Sequence, residues 1–343
     1  EPDPREMDML MAVGEQMSYS NYGSALAAYI VERVSGMPFD EYVEKNIFNP
    51  LNMNNSTFRQ AISPEIEEKL SYGYAHIQGA YQKDQYEYIQ PYPAGSLSST
   101  ASDMAKFMLA HLNNGIYDGA RILGNETALT MHSRSFNHYD DFAGMAHGFI
   151  EMYYNGHRII NHGGDTFLFH SGIYLISELD LGFFVSYNGR DAALARNVLF
   201  KNFMDRYYPS KSAITAFNEE NNLISNSKIA GSYYPSRSNF TTYQSIIKIL
   251  NLTNINSNPK GDLAYNFMGE THQLKQIAPQ VFYDHENGNK LYAPTNQEGN
   301  ITRLYTNSPH VLLKAEWYET LNFNLLFILG FIFFALIFSF LLI

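Results

Sequence analysis

Between Phe149 and Tyr187 four runs of β-branched and aromatic residues follow one another, each closed by a polar turn. The runs are Phe149 to Tyr154, Arg158 to His162, Gly172 to Ile176 and Leu181 to Tyr187, lengths that suit strands. Asn155-Gly156 and Glu178 to Asp180 have the composition of hairpin turns. Strands this close in sequence leave no room for a crossover helix, so the segment reads as an antiparallel meander.

Helical periodicity surrounds it. Leu26, Ile30 and Val34 form one stripe between Tyr22 and Val34, with Ser20 or Asn21 available as N-cap and Gly36 and Pro38 as the stop. Phe39, Tyr42, Val43 and Ile47 continue at helical spacing up to Asn49-Pro50, after a short helix that ends at Gly14. Residues 54–100 read as a loop excursion with short strands. Ser99 or Thr100 then opens a helix carrying Met104, Phe107, Met108 and Leu112, and a last helix runs from about Ala192 to Tyr207. His138 to Asp141 reads as a solvated loop. The fold class is α+β, an antiparallel sheet with helices, occupying residues 1–208. Residues 209–227 read as a polar linker and 228–315 as a small β-rich domain.

From Leu325 to Ile343 the chain carries no charge and almost no polar group. At 1.5 Å per residue the run reaches roughly 28 Å, the hydrocarbon thickness of a bilayer. With Trp317 and Tyr318 ahead of it as an interface belt, residues 322–343 read as a transmembrane helix. Lys314, Glu316 and Glu319 give that flank no positive bias, which favours an extracytoplasmic main domain. The N-terminus shows no apolar signal segment.

Composition excludes several functions. A net charge of −11 argues against nucleic acid as a partner. The chain has no cysteine, so disulfides, thiolate metal sites and a Cys nucleophile are excluded. Eleven histidines make no His-Glu-x-x-His, and no metal or cofactor is implied.

Two short motifs carry chemistry. Tyr19-Ser20-Asn21 stands at the mouth of a helix, and His162-Gly163-Gly164 ends a strand. A hydroxyl nucleophile attacking a carbonyl needs a base and oxyanion donors, and a tyrosine and a strand edge supply these in one family of solutions. Taken singly, the first also reads as an N-cap with a packed aromatic and the second as a turn.

Their surroundings distinguish these readings. Gly14 to Leu26, Val34-Ser-Gly-Met-Pro-Phe39, Ile47 to Met53, Pro93 to Asp103, Asn161-His-Gly-Gly-Asp165 and Gly231 to Arg237 occur in order. The set resembles the serine β-lactamase and penicillin-binding-protein superfamily, in particular its class C-like β-lactamase-related hydrolases. The resemblance implies a β-lactamase/DD-peptidase-like fold, an accessory β-domain and a small-molecule or peptide substrate of cell-wall type. It implies Tyr19 as proton shuttle, Asn21 as a substrate and lysine contact, and His162 as a cleft residue. Gly163 and Gly164 would admit the substrate backbone, and the Asp165 N–H would be an oxyanion donor. His162 stands where many members carry Lys, and a neutral imidazole is a poorer anion anchor. Esters, amides and D-amino-acid peptides are therefore favoured over penicillins.

The family's nucleophile is the serine of Ser-x-x-Lys, upstream of the other two motifs. Here Ser-x-x-Lys begins at Ser225, Ser245 and Ser257, all downstream of His162, and only Ser245 has helical surroundings. The chain thus reads as an N-terminally truncated serine hydrolase that lacks its nucleophile and is inactive alone. The alternative is a non-catalytic cell-wall peptide-binding or sensor protein of the same fold.

Overall fold

The computed structural model describes residues 14–60, 64–140, 142–210, 226–240, 243–257, 262–267, 270–284, 288–307 and 311–341. The expected helix ahead of Gly14 and most of the expected linker lie outside them. The chain divides into two compact units. One comprises Tyr19–Asn137 and Ala143–Ala213, and the other takes in His138–Phe142 and Ile214–Ile343.

In the first unit the meander forms with the expected topology. Strands β1 (Ile150–Tyr154), β2 (His157–Asp165), β3 (His170–Ile176) and β4 (Leu181–Tyr187) pair antiparallel in sequence order. Asn155 and Gly156 both take positive φ, the geometry of a tight primed turn. Strand β2 continues three residues beyond His162, so the glycine pair lies in the sheet and not in a turn.

Helix α1 (Asn21–Ser35) starts with Ser20 as its N-cap, whose Oγ accepts from Gly23 N at 3.1 Å. Gly36 ends it in the left-handed conformation that a Cβ would penalise. A short helix, Phe39–Val43, runs into a wider turn at Glu44–Phe48. Helix α2 (Ala101–Leu112) is capped by Thr100 and helix α3 (Asn125–His132) follows. Helix α4 (Ala195–Tyr207) closes the unit.

The sheet is buried on both faces. Met104 and Met108 of α2 pack with Leu51, Met53, Ile160, Ile173 and Leu175 on one side. On the other, Phe200 and Met204 of α4 pack with Ile159, Tyr174 and Ile176, and the Tyr174 and Phe200 rings stack at 3.9 Å. Burying large apolar side chains of this kind contributes about 1.5–3 kcal/mol each. The α1 stripe is an exception: Leu26, Ile30 and Val34 are 44%, 54% and 83% exposed.

In the second unit the short strands expected of residues 228–315 close into a barrel. Strands β5 (Gly231–Pro235), β6 (Thr253–Ser257), β7 (Leu263–Phe267), β8 (Glu270–Ala278), β9 (Val281–Asp284), β10 (Lys290–Tyr292), β11 (Arg303–Thr306) and β12 (Val311–Lys314) pair in sequence order. β12 returns to pair with β5. Tyr233, Ile255, Leu263, Phe282 and Leu304 fill the interior.

His138 is not the solvated residue its polar neighbours suggest. Its ring stacks on Tyr305 at 4.2 Å and its Nε2 accepts from Met17 N at 3.0 Å. Aromatic surface from the barrel strands outweighs the polar composition of the segment; Asp141 lies outside the described residues. Helix α5 (Leu321–Leu341) follows the barrel and is long and apolar enough to cross a membrane.

Candidate active site

The Tyr19 and His162 rings lie 5.7 Å apart at 50°. Tyr19 is delivered by the extended backbone that enters α1, since Ser20 holds φ −139° and ψ 120° before the helix begins at Asn21. His162 is delivered by β2, paired with Ile173 on β3. Asn21 is the first helical residue, two positions beyond Tyr19. All belong to the first unit.

Strand pairing makes the end of β2 an open edge. β1 pairs with β2 only as far as Asn161, whereas β3 continues to pair through Asp165. From His162 to Asp165, β2 therefore has β3 on one side and, among the described residues, no strand on the other. Thr166 N donates to Phe169 O across the turn. Counting back by the two-residue alternation of an antiparallel pair, Gly164 and His162 direct their N–H groups to β3. Gly163 and Asp165 direct theirs to the open edge.

The two glycines do different things. A Cβ on Gly163 would meet the Arg196 guanidinium at 3.0 Å, while one on Gly164 would meet nothing within 4 Å. Gly163 makes room for an arginine, and Gly164 leaves open space beside His162.

Arg196, in the first turn of α4, escapes the motif reading because nothing marks it in the sequence. Its Nη1 and Nη2 donate to Asp165 Oδ1 and Oδ2, both at 2.7 Å, and Nη1 also reaches the carbonyls of Gly164 and Ser171. A cation opposes the dipole at a helix N-terminus, and the two-pronged Asp165 bond offsets that. His170 Nδ1 lies 2.7 Å from Asp165 Oδ1 and its Nε2 lies 3.1 Å from the Arg190 carbonyl. His170 thus orients Asp165. Glu87, also unmarked by any motif, accepts from Thr166 Oγ1 and from the N–H groups of Phe167 and Leu168, fixing the β2–β3 turn.

The electrostatics follow. Burial pushes the His162 pKa down, a hydrogen bond at the Gly163 backbone opposes this, and the Arg196 charge lowers it further. The imidazole is neutral at neutral pH. Burial alone would raise the Asp165 carboxyl, but its bonds to Arg196 and His170 outweigh that and hold it below the usual range.

The three Ser-x-x-Lys sequences lie in the second unit. Ser225 and Lys260 fall outside the described residues. Lys248 is bonded to Glu319 at 2.6 Å, which pairs its ammonium with a carboxylate instead of leaving it to activate Ser245.

The chain is similar to several known proteins. Penicillin-binding protein 4* of Bacillus subtilis is 31% identical over 120 residues, 29% of this chain and 27% of that protein. A putative D-alanyl-D-alanine carboxypeptidase of Salmonella typhi is 25% identical over 141 residues, 36% of this chain and 33% of that protein. The aligned stretches thus span about a quarter to a third of these curated relatives. The crystal structure of SurE superposes with a TM-score of 0.56 at 15% identity, over 88% of this chain and 69% of that one, a likeness of fold. Residues 5–200 match the family described as Beta-lactamase, more than half of the sequence. With the sheet, helices α1 to α3 and the paired motifs inside that span, this chain belongs to the Beta-lactamase family.

Proposed function

We propose that this chain is part of a membrane-anchored, extracytoplasmic serine hydrolase acting on an ester, an amide or a D-amino-acid peptide. The family is one of serine hydrolases that act on amides and D-amino-acid peptides. The observation that carries the proposal is the approach of Tyr19 to His162 beside an open strand edge. A serine supplied by a preceding segment attacks the substrate carbonyl, and the bond to the leaving group breaks. Tyr19 moves the serine proton to the leaving group, and water then hydrolyses the acyl-serine. Asn21 bonds substrate and orients the lysine of the nucleophile motif. His162 lines the cleft, Gly163 and Gly164 admit the substrate backbone, and the Asp165 N–H holds the oxyanion. Helix α5 anchors the protein.

Labelling with a fluorophosphonate or penicillin probe tests this. The complete protein is expected to become covalently labelled and this chain alone to remain unlabelled. Labelling of this chain overturns its assigned inactivity. A complete protein that stays unlabelled but binds cell-wall peptide is a sensor and not an enzyme.

A further inference from the structure

Taking the β2 edge as the substrate site proposed above, we propose that it selects an uncharged or cationic substrate end and disfavours a free carboxylate, with Asp165 as the specificity-determining residue. A ligand bonded along this edge through the outward N–H groups of Gly163 and Asp165 passes Asp165, whose side chain lies on the Arg196 face of β2, the face opposite His162. The Arg196 guanidinium beside it would be the natural anchor for a carboxylate, but it is turned inward. The Arg196 side chain is 13% exposed and that of its partner Asp165 48%. An anion arriving from solvent therefore meets a carboxylate first.

The neighbouring charges reinforce this. Both Asp165 oxygens bond Arg196, and the other bonds the structure gives that guanidinium go to carbonyls. Arg190, whose carbonyl faces His170, pairs with Asp84 at 3.0 Å. Glu87 holds the turn just beyond Asp165 with its carboxylate. Three carboxylates thus stand around this end of the sheet against two guanidiniums that are each already paired. His162 adds no charge, because burial keeps it neutral. A substrate carboxylate on the Asp165 face would give up hydration for a like charge. An amide or an ammonium meets no such opposition.

The test is equilibrium binding of N-acetyl-D-alanyl-D-alanine, as the free acid and as its C-terminal amide, to the full chain in detergent micelles at neutral pH. The amide is expected to bind at least about tenfold more tightly, a difference of about 1.4 kcal/mol. Asp165→Asn, which releases the guanidinium, is expected to narrow or invert that ratio. A free acid that binds the unaltered chain as tightly as the amide overturns the proposal even if Asp165→Asn fails to fold. Binding of neither peptide overturns the functional reading of the edge, and this proposal with it.

Discussion

Nδ1 of His111 lies 2.9 Å from Nε2 of His132, so two imidazoles on α2 and α3 share one proton in an aromatic pocket between Phe107 and Phe149. Burial, with the His132 charge behind it, pushes His111 down to about 4. Burial and then Arg158 lower His132 as well. In the unfolded chain both titrate near 6.5. Below that pH the unfolded state takes up protons that the folded state refuses. Stability is therefore complete above about pH 6.5 and is lost as pH falls toward 4, by about 3 kcal/mol from His111 alone. Melting temperatures measured from pH 8 to 4 are expected to hold level and then fall through this window. A flat profile would count against the pair's neutrality.

Glu151 is 1% exposed and holds two guanidiniums, Arg134 and Arg158, each at 2.6 Å, together with Gly144 N at 3.0 Å. Glu151→Gln leaves both cations facing a neutral amide. The expected loss is about 3 kcal/mol, read as a drop of roughly 10 °C in the calorimetric midpoint of the first unit.

Gly163→Ala and Gly164→Ala should part company although they are neighbours. The first must displace the Arg196 guanidinium and is expected to cost about 1–3 kcal/mol. The second places a methyl in open space and is expected to change stability by less than about 0.5 kcal/mol. Chemical denaturation of the two variants side by side distinguishes them, and equal midpoints would remove the packing role given to Gly163.

The exposed stripe on α1 predicts a solubility effect without a stability effect. Ile30→Lys with Val34→Lys alters two side chains that are 54% and 83% exposed. The melting temperature is expected to stay within about 1 °C, while light scattering at high protein concentration falls.

For the proposed chemistry, Tyr19→Phe in the complete protein is expected to slow turnover by about a hundredfold or more with an unchanged melting temperature. Unaltered acylation and deacylation rates would take Tyr19 out of the reaction.

The meander was legible because strand periodicity is local and its turns carry Asn-Gly and Asp at the positions that need positive φ. The helix caps were legible to one residue for the same reason, Ser20 or Asn21 and Ser99 or Thr100, of which the structure uses Ser20 and Thr100. Barrel closure was not, because the pairing of β12 with β5 joins residues some eighty positions apart and leaves no local trace. Tyr19 and His162 were singled out through the motifs around them, and the fold brings their rings 5.7 Å apart. Arg196, Glu87 and Asp84 were missed because each acts through a partner that only the folded chain brings near. The α1 stripe marks the helix correctly but says nothing of what covers it, and among the described residues it faces solvent.

The barrel seam has a mechanical consequence. Strand β12 ends at Lys314, and α5 begins at Leu321, so if α5 anchors the protein as proposed, tension on it reaches β12 through a short tether. β12 is held by three paired positions on β11 and three on β5, from Leu312 opposite Pro235 to Lys314 opposite Tyr233. Pulling on the helix therefore loads the seam that closes the ring. Once β12 peels away, β11 and β5 are both left as raw edges.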